Sequence, residues 1–209
     1  MKAFLCTGGA VFPDGISERP GADDLILAAD AGYRTAQHLG LRPAIVLGDF
    51  DSLGSVPELP EGTELIRVPA EKNLTDTQLG VQIALERGAQ AVTIVGGLGG
   101  RLDHTLSNLA ILEDLWEKKI PAVITDGKNR ARFLRSNSLL LLREPQFRYF
   151  SLISADPTVR GVTLEGCKYP LRNATLTRRL HFAVSNEISG NCALISVRRG
   201  GVWIIESSD

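Results

Sequence analysis

The chain has 209 residues, of which 44% are hydrophobic and 22% are charged, and its formal net charge is −1. These values are typical of a globular protein, and the length allows one large domain or two small ones with a buried core. The nearly balanced charge gives no reason to expect binding to nucleic acid or to a membrane surface, and no apolar run approaches the roughly 18 residues of a membrane-spanning helix.

Continuously apolar runs recur through residues 3–127. Because strands that are covered on both faces lack the polar alternation of half-exposed strands, we interpret these runs as buried strands. The predicted strands cover residues 3–9, 25–30, 44–50, 63–69, 91–97 and 122–127.

Helical patterns occupy three of the segments between these strands. Helices are predicted over residues 31–40, 75–88 and 103–119. The second begins with Thr75, followed three residues later by Gln78, which is the pattern of a capping box. The buried stripe of the third is expected to consist of Leu102, Leu106, Leu109 and Ala110. The alternation of strands and helices predicts an α/β domain with a mostly parallel sheet.

Short strand-like pieces without a helical stripe make up the chain after residue 130. Asn, Gly, Pro and Ser separate them, which is typical of an antiparallel sandwich or barrel. The pieces cover residues 131–135, 138–144, 147–154, 161–171, 173–177, 180–187, 191–199 and 201–207. We place the boundary between the two halves near residues 125–130.

Aspartates follow strands or open helices at several points of the first half. They are Asp30, Asp49, Asp51, Asp76 and Asp103. Any one of them could be an ordinary loop residue or a first-turn helix residue. Together they should converge, because the carboxyl ends of parallel strands share one edge of the sheet. Along an extended chain Asp49 and Asp51 point to the same side, so a positive charge is expected between them.

The expected positive charge is a hard divalent cation. Carboxylates without clustered His or Cys select Mg²⁺, Mn²⁺ or Ca²⁺, and Mg²⁺ commonly binds one or two carboxylates together with substrate phosphates. The cysteines Cys6, Cys167 and Cys192 have no metal-ligand spacing, and we expect them to be free thiols in a reducing cytoplasm.

A glycine-rich run, "VGGLGGRLDH" at 95–104, lies between a predicted strand and a predicted helix. Backbone N–H groups in such a turn suit phosphate, and Arg101 adds a fork of donors. The run is not a dinucleotide fingerprint, since Leu102 stands where the last glycine belongs. It is not a Walker A loop either, because the Gly127–Lys128 pair is followed by Asn129. These residues favour a nucleotide site that contains Mg²⁺.

The motifs "AADAGYR", "LGDFDSLG", "EKNLTDTQL" and "GGLGGRLDHTLSNL" resemble, in order, those of the thiamine pyrophosphokinase family. The second half continues the resemblance with "FSLISADPTVRGVTLEGCKYPL", "VSNEISG" and "GVWII". The resemblance implies a Rossmann-like α/β domain at 1–127 for nucleotide and metal, and a β-sandwich domain at 128–209 for thiamine. It also implies a homodimer that transfers a pyrophosphoryl group from ATP to thiamine, with active sites at the subunit interface.

The resemblance also implies roles for individual residues. Mg²⁺ would be held by Asp49, Asp51 and Asp76. The triphosphate would lie against Asp30, Gly97, Gly99, Gly100 and Arg101. Thiamine would contact Asp103, and it would contact Ser185, Asn186 and Trp203 of the other subunit. Catalysis is expected from Asp49, Asp51, Asp76 and Asp103, with Asp51 or Asp103 accepting the hydroxyl proton.

The sequence departs from the family pattern at Ala31, Asn73 and Gln78. Two alternative functions also remain open at this point. One is a pyrophosphokinase that acts on another hydroxymethyl heterocycle, such as a pterin. The other is a non-catalytic regulator that binds thiamine or a nucleotide. The crowded pair Asp49 and Asp51 favours chemistry over sensing.

Overall fold

The chain forms two units, Met1–Gly127 and Lys128–Asp209, here called unit 1 and unit 2. The structure is a computed structural model that describes residues 1–49, 59–68 and 73–209. In the described part of unit 1, the strands are β1 (Ala3–Cys6), β2 (Leu25–Ala29), β3 (Ile45–Gly48), β4 (Glu64–Arg67), β5 (Val92–Val95) and β6 (Ala122–Thr125). All their pairings are parallel, which confirms the predicted sheet.

The strand order in unit 1 is β4-β3-β2-β1-β5-β6. The chain therefore adds strands on one side of β1 as far as β4, and then adds β5 and β6 on its other side. At such a switch in strand order, the loops that follow the two central strands diverge and leave a crevice at their carboxyl ends. The crevice between β1 and β5 is where a ligand site is expected.

Within the described part of unit 1, the helices that pack on this sheet are α1 (Gly32–His38), α2 (Asp76–Glu86) and α3 (Leu102–Glu117). The capping box of α2 is confirmed, since Thr75 Oγ1 accepts from the Gln78 N–H at 3.2 Å and Gln78 Oε1 accepts from the Thr75 N–H at 3.0 Å. No helix formed by the described residues is both long and apolar enough to cross a membrane.

The buried stripe predicted for α3 is largely wrong. Leu102 is 71% exposed and Leu106 is 57% exposed. The buried residues are instead Asn108, Leu109, Ile111, Leu112 and Leu115. At about 100° per residue, this second set occupies a different face of the helix from Leu102 and Leu106. Both faces carry leucines, and only packing on the sheet decides between them.

Unit 2 consists of antiparallel strands in two groups. The strands are β7 (Asn129–Arg135), β8 (Ser138–Leu142), β9 (Tyr149–Ser154), β10 (Thr158–Glu165), β11 (Leu171–Thr177), β12 (Cys192–Arg199) and β13 (Gly201–Ser207). One group has the order β7-β13-β9 and the other β11-β10-β12-β8. Val159, Val162, Leu164, Ile195 and Ile204 are buried in this unit.

The predicted strand at 180–187 is wrong. This segment makes only isolated bridges, which join Leu180 to Thr177 and Asn186 to Phe150. Ser185 has a φ of 56°, which lies in the left-handed region and breaks the extended conformation that a strand needs.

An ion cluster is buried in unit 2. Arg130 on β7 donates to both carboxylate oxygens of Glu206 on β13, at 2.6 and 2.7 Å, and it also pairs with Glu144. Arg132 pairs with the same Glu206 carboxylate. The side chains of Arg130 and Glu206 are each 3% exposed, and the Arg130 guanidinium lies 4.6 Å above the Phe147 ring. The charges of Arg130 and Glu206 are thus paired away from water, while Arg132 and Glu144, at 27% and 28% exposure, complete the cluster at its edge.

Candidate active site

A cleft of about 620 Å³ opens at the carboxyl end of the parallel sheet in unit 1. Its walls come from the segments that follow β1, β2 and β3, from the start of α2, and from the loop between β5 and α3. This is the crevice expected from the strand order. The strand order of unit 1 therefore determines where the cleft lies.

The structure brings most of the predicted phosphate and metal residues of unit 1 to this cleft. The cleft is lined by Asp30, Asp49, Asp76, Gly97, Gly99, Gly100 and Arg101. Asp103 lies beside it, as the partner of Arg101. Asp51 falls outside the described residues.

Asp30 occupies an unusual backbone conformation at the end of β2. Its φ is 49°, its N–H donates to Leu47 O at 2.7 Å, and its carbonyl accepts from the Tyr33 N–H at 3.1 Å. A Cβ added to Gly48 would come within 3.1 Å of Asp30 Cα, so glycine leaves room for this conformation. Aspartate is one of the few residues that adopt the left-handed region, and such strain is often found at functional sites.

The loop between β5 and α3 is built from left-handed glycines. Gly96, Gly97, Gly99 and Gly100 all have φ between 73° and 85°. Successive backbone N–H groups in such conformations can form a concave binding surface for an anion. The N–H groups of Gly96 and Gly97 donate to Thr125 O and Gly8 O, so the candidate anion donors of this loop are those of Gly99 and Gly100, which line the cleft.

Two helices begin at the cleft. Thr75 caps α2, and Thr75, Asp76 and Thr77 all line the cleft. At the other helix, Arg101 is the N-cap of α3, and His104 in its first turn also lines the cleft. The first N–H groups of a helix lack partners within the helix and carry partial positive charge. Both helix ends thus favour an anion in the cleft.

Arg101 and Asp103 form a bidentate ion pair at the rim of the cleft. Arg101 Nη2 lies 2.6 Å from Asp103 Oδ2, and Arg101 Nε lies 3.2 Å from Asp103 Oδ1. The Arg101 guanidinium, helped by the His104 N–H, lowers the pKa of Asp103 to about 2. Asp103 is thus ionised at neutral pH and, in this pairing, is a weak proton acceptor. Both side chains are exposed, so the pair adds little to stability.

The cleft residues suit a hard cation. Among residues 1–49, 59–68 and 73–209, no three His, Cys, Asp or Glu side chains group closely enough to hold a metal by themselves. Mg²⁺ does not require three, because it usually binds one or two carboxylates and completes its coordination with substrate phosphates and water. The carboxylates of Asp49 and Asp76, in a cleft that also offers anion donors, have the chemistry for this arrangement.

The residues predicted to bind thiamine in unit 2 are placed on and beside β9 and β13. Trp203 is partly exposed, and its ring centroid lies 6.5 Å from that of Phe133 in an edge-on arrangement. Strand alternation puts Trp203 on the face of β13 opposite to buried Val202 and Ile204. The Ser185 N–H donates to Ser151 Oγ at 3.0 Å. Ser151 faces the same side as Trp203, since its register partner is Ile205, two residues along β13.

Asn186 is buried, and its side chain is used by its own chain. The amide oxygen accepts from the N–H groups of Tyr169 and Glu187, at 3.0 and 2.9 Å. The amide nitrogen donates to Tyr169 O at 2.8 Å. These bonds of Asn186 therefore hold the backbone next to Ser185, which is exposed.

Sequence reasoning missed several cleft residues. Thr7, Gly8 and Gly9, which follow β1, line the cleft, and so does Asn108. The glycine pair after an apolar strand could have been found, since it repeats the signal of the run at 95–100. Asn108 gave no signal, because the α3 stripe was assigned to another face of the helix.

Comparison with known proteins shows two matching family models. The chain matches "Thiamin pyrophosphokinase, catalytic domain" over residues 21–124 and "Thiamin pyrophosphokinase, vitamin B1 binding domain" over residues 137–202. A curated relative, thiamine pyrophosphokinase of Bacillus subtilis (strain 168), is 29% identical over 188 residues, which is 88% of each chain.

Solved structures agree with this match. The crystal structure of thiamine pyrophosphokinase from Bacillus subtilis superposes with a TM-score of 0.86 at 26% identity, with 100% of both chains covered. That of thiamin pyrophosphokinase from Geobacillus thermodenitrificans gives a TM-score of 0.84 at 28% identity, covering 100% of this chain and 98% of the other.

Proposed function

The chain belongs to the thiamine pyrophosphokinase family, and we propose that it transfers a pyrophosphoryl group from ATP to the hydroxyl of thiamine. The products are thiamine diphosphate and AMP. The observation that carries the proposal is the cleft of unit 1. It combines carboxylates, a loop of left-handed glycines and two helix N-termini at one sheet edge, which together suit a metal-bound triphosphate.

ATP is assigned to this cleft. Gly99 and Gly100 present backbone N–H groups to the phosphates, and Gly97 shapes the loop beside them through its bond to Gly8 O. Arg101 can turn its guanidinium from Asp103 to a phosphate oxygen. Asp49, Asp51 and Asp76 hold Mg²⁺, with Asp30 beside them. When bound, Mg²⁺ neutralises the charge on the triphosphate oxygens. Without a cation, the carboxylates would repel the triphosphate.

The reaction itself is a displacement at phosphorus. The hydroxyl oxygen of thiamine forms a bond to the β-phosphorus of ATP, the bond from this phosphorus to the bridging oxygen breaks, and AMP leaves with that oxygen. The hydroxyl proton passes to a carboxylate. The protein chiefly aligns the two oxygens and balances charge. Asp51 and Asp103 are the two candidate acceptors, and Asp103 is also assigned to orient thiamine. Asp103 is a weak base while it pairs with Arg101, and it becomes a stronger one when Arg101 turns to a phosphate oxygen.

Thiamine is assigned to the sheet face of unit 2 that carries Trp203 and Ser185. Thiamine is an aromatic cation, and an indole ring attracts such a cation over its face. Ser185 lies beside the same face, since its N–H donates to Ser151 Oγ, and Asn186 holds the adjacent backbone through its bond to Tyr169 O. The match of residues 137–202 to a vitamin B1 binding domain supports this assignment.

The identity of the nucleotide released from ATP tests the proposed reaction. Incubated with ATP, Mg²⁺ and thiamine, the protein is expected to release AMP in step with thiamine diphosphate, as measured by chromatography. A matched incubation with a hydroxymethylpterin is expected to give no AMP. ADP with thiamine monophosphate would identify an ordinary kinase, and the absence of any nucleotide product would identify a non-catalytic binder. Either result would overturn the proposal.

We further propose that the chain works as a homodimer in which Asp49 of one subunit and Trp203 of the other complete each site. Co-expression of the inactive variants Asp49→Asn and Trp203→Ala tests this. Random pairing makes about half of the dimers mixed, and one of the two sites in each mixed dimer is intact, so about a quarter of normal activity should return.

Co-expression of Asp49→Asn with Asp76→Asn is the matched control. Both lesions then lie in the same unit, every site carries at least one of them, and no activity should return. Equal activity in the two mixtures would show that each site is built within one chain. The reaction assignment would stand in that case.

All three cysteines are free. Cys6 is fully buried, and burial raises the pKa of its thiol to about 12, which makes it unreactive. Free thiols persist in a reducing compartment, so we propose that the enzyme acts in the cytoplasm.

A further inference from the structure

Asn108 is a polar residue on the buried face of α3. It is 4% exposed, while its neighbours on that face are Leu109, Ile111, Leu112 and Leu115. Its amide nitrogen Nδ2 donates to the carbonyl oxygen of Gly97 at 2.9 Å. A buried amide without a hydrogen bond is costly, so this bond fixes the place of both groups.

Gly97 is held from a second side as well. Its N–H donates to the carbonyl oxygen of Gly8 at 3.1 Å. A Cβ at Gly97 would lie 2.8 Å from Asn108 Nδ2 and 3.2 Å from Thr7 Oγ1, so only glycine fits between them. Asn108 thus anchors the point at which the loop after β1 is joined to the loop after β5, and both loops line the cleft.

The anchored carbonyl fixes the peptide plane that leads into Gly99 and Gly100, the next residues of the loop that line the cleft. In a trans peptide the N–H of Leu98 points opposite to the carbonyl of Gly97. A loop with glycines at 96, 97, 99 and 100 has wide conformational freedom, and this peptide could otherwise rotate. The Asn108 bond keeps it in one orientation.

We propose that Asn108 is a positioning residue that preorganises the glycine-rich loop for the phosphates of ATP. The proposal rests on the function proposed for the cleft. If the loop already has the conformation that binds phosphate, no free energy of reorganisation opposes binding. Loss of the Asn108–Gly97 hydrogen bond, here called the tether, is therefore expected to lower the affinity for ATP specifically. Thiamine, assigned to residues of unit 2 and to Asp103, does not depend on this tether.

Two variants test the proposal. Asn108→Leu keeps a similar volume and removes the donor, and it is expected to raise KM for ATP about 10-fold, which corresponds to the loss of one hydrogen bond. KM for thiamine is expected to change less than about 2-fold. Ser107→Ala, one residue away on α3, is the control and should leave both constants unchanged.

The second variant, Asn108→Asp, has nearly the same shape. Ionised, the introduced carboxylate repels the Gly97 carbonyl, whereas its protonated form restores a donor to that oxygen. Burial favours the protonated form and raises the pKa of the introduced carboxyl. Relative to the wild type at each pH, affinity for ATP should therefore recover as the pH is lowered. A residue with a purely structural role would show no such recovery.

Direct measurement of nucleotide binding tests the positioning role of Asn108 independently of the proposed reaction. Calorimetry with α,β-methylene-ATP, which cannot be cleaved between its α- and β-phosphates, should show weaker binding by Asn108→Leu even if the wild type forms no thiamine diphosphate. Absence of turnover by the wild type would overturn the proposed function alone. Unchanged nucleotide binding by Asn108→Leu, or an equal loss for ATP and thiamine, would overturn the positioning role. Because Asn108→Leu could fail to fold, the pH series with Asn108→Asp decides the matter independently.

Discussion

We expect Asp49→Asn to lower kcat by roughly 10²- to 10³-fold without lowering the thermal midpoint. The change keeps the shape of the side chain, removes its charge and replaces one accepting oxygen with an amide NH2 group. A bound metal ion supplies several kcal/mol of charge stabilisation in such reactions, and each ~1.4 kcal/mol is a factor of ten in rate. Without metal, the carboxylates of Asp30, Asp49 and Asp76 share one cleft, so the loss of one charge relieves repulsion.

Steady-state kinetics at several Mg²⁺ concentrations, with differential scanning calorimetry of the metal-free protein, measure these effects. Asp114→Asn is the matched control, since Asp114 lies on α3 and pairs with exposed Lys118 at 2.6 Å. It should retain normal turnover. Normal turnover by Asp49→Asn would remove Asp49 from the metal site.

Arg130→Ala is expected to destabilise unit 2 by about 3–5 kcal/mol, as breaking a buried ion pair does. Without Arg130, the Glu206 carboxylate retains Arg132 and loses its bidentate partner, and Glu144 loses the Arg130 guanidinium. The stacking on Phe147 is lost as well. Arg130→Met combined with Glu206→Leu should cost less than Arg130→Ala, because both fully buried charges are then removed. Arg132 and Glu144, which each lose a partner, are 27% and 28% exposed and can be solvated.

Urea unfolding followed by the fluorescence of Trp203 measures this loss, with Trp116 of unit 1 replaced by Phe. Lys168→Ala is the control, because the Lys168–Glu187 pair at 2.9 Å is solvent-accessible and should contribute less than about 1 kcal/mol. Equal unfolding midpoints for Arg130→Ala and Lys168→Ala would show that the cluster does not stabilise the unit.

The features that could be read from the sequence depend on local rules. The parallel strands were visible because continuous apolar runs need cover on both faces. The capping box of Thr75 and Gln78 was visible because it joins residues three apart. The convergence of Asp30, Asp49 and Asp76 on one cleft follows from the direction of parallel strands.

The features that could not be read depend on residues distant in the chain. The face on which α3 packs is chosen by the sheet, since both faces carry leucines. Arg130 and Glu206 are 76 residues apart, and only the pairing of β7 with β13 brings them together. The break at Ser185 depends on one φ angle, which its neighbours in sequence do not signal.

The central place of β1 also has a consequence for synthesis on the ribosome. Ala3 pairs with Leu25 on one side and with Val92 on the other, so the second neighbour is translated 89 residues later. At a translation rate of about 5–20 residues per second, the edge of β1 that pairs with β5 stays unpaired for roughly 5–20 seconds. The crevice to which we assign ATP lies between these two strands, so on that assignment a nascent chain cannot bind nucleotide there before β5 has left the exit tunnel. Until then the open edge of β1 is available for pairing with another chain.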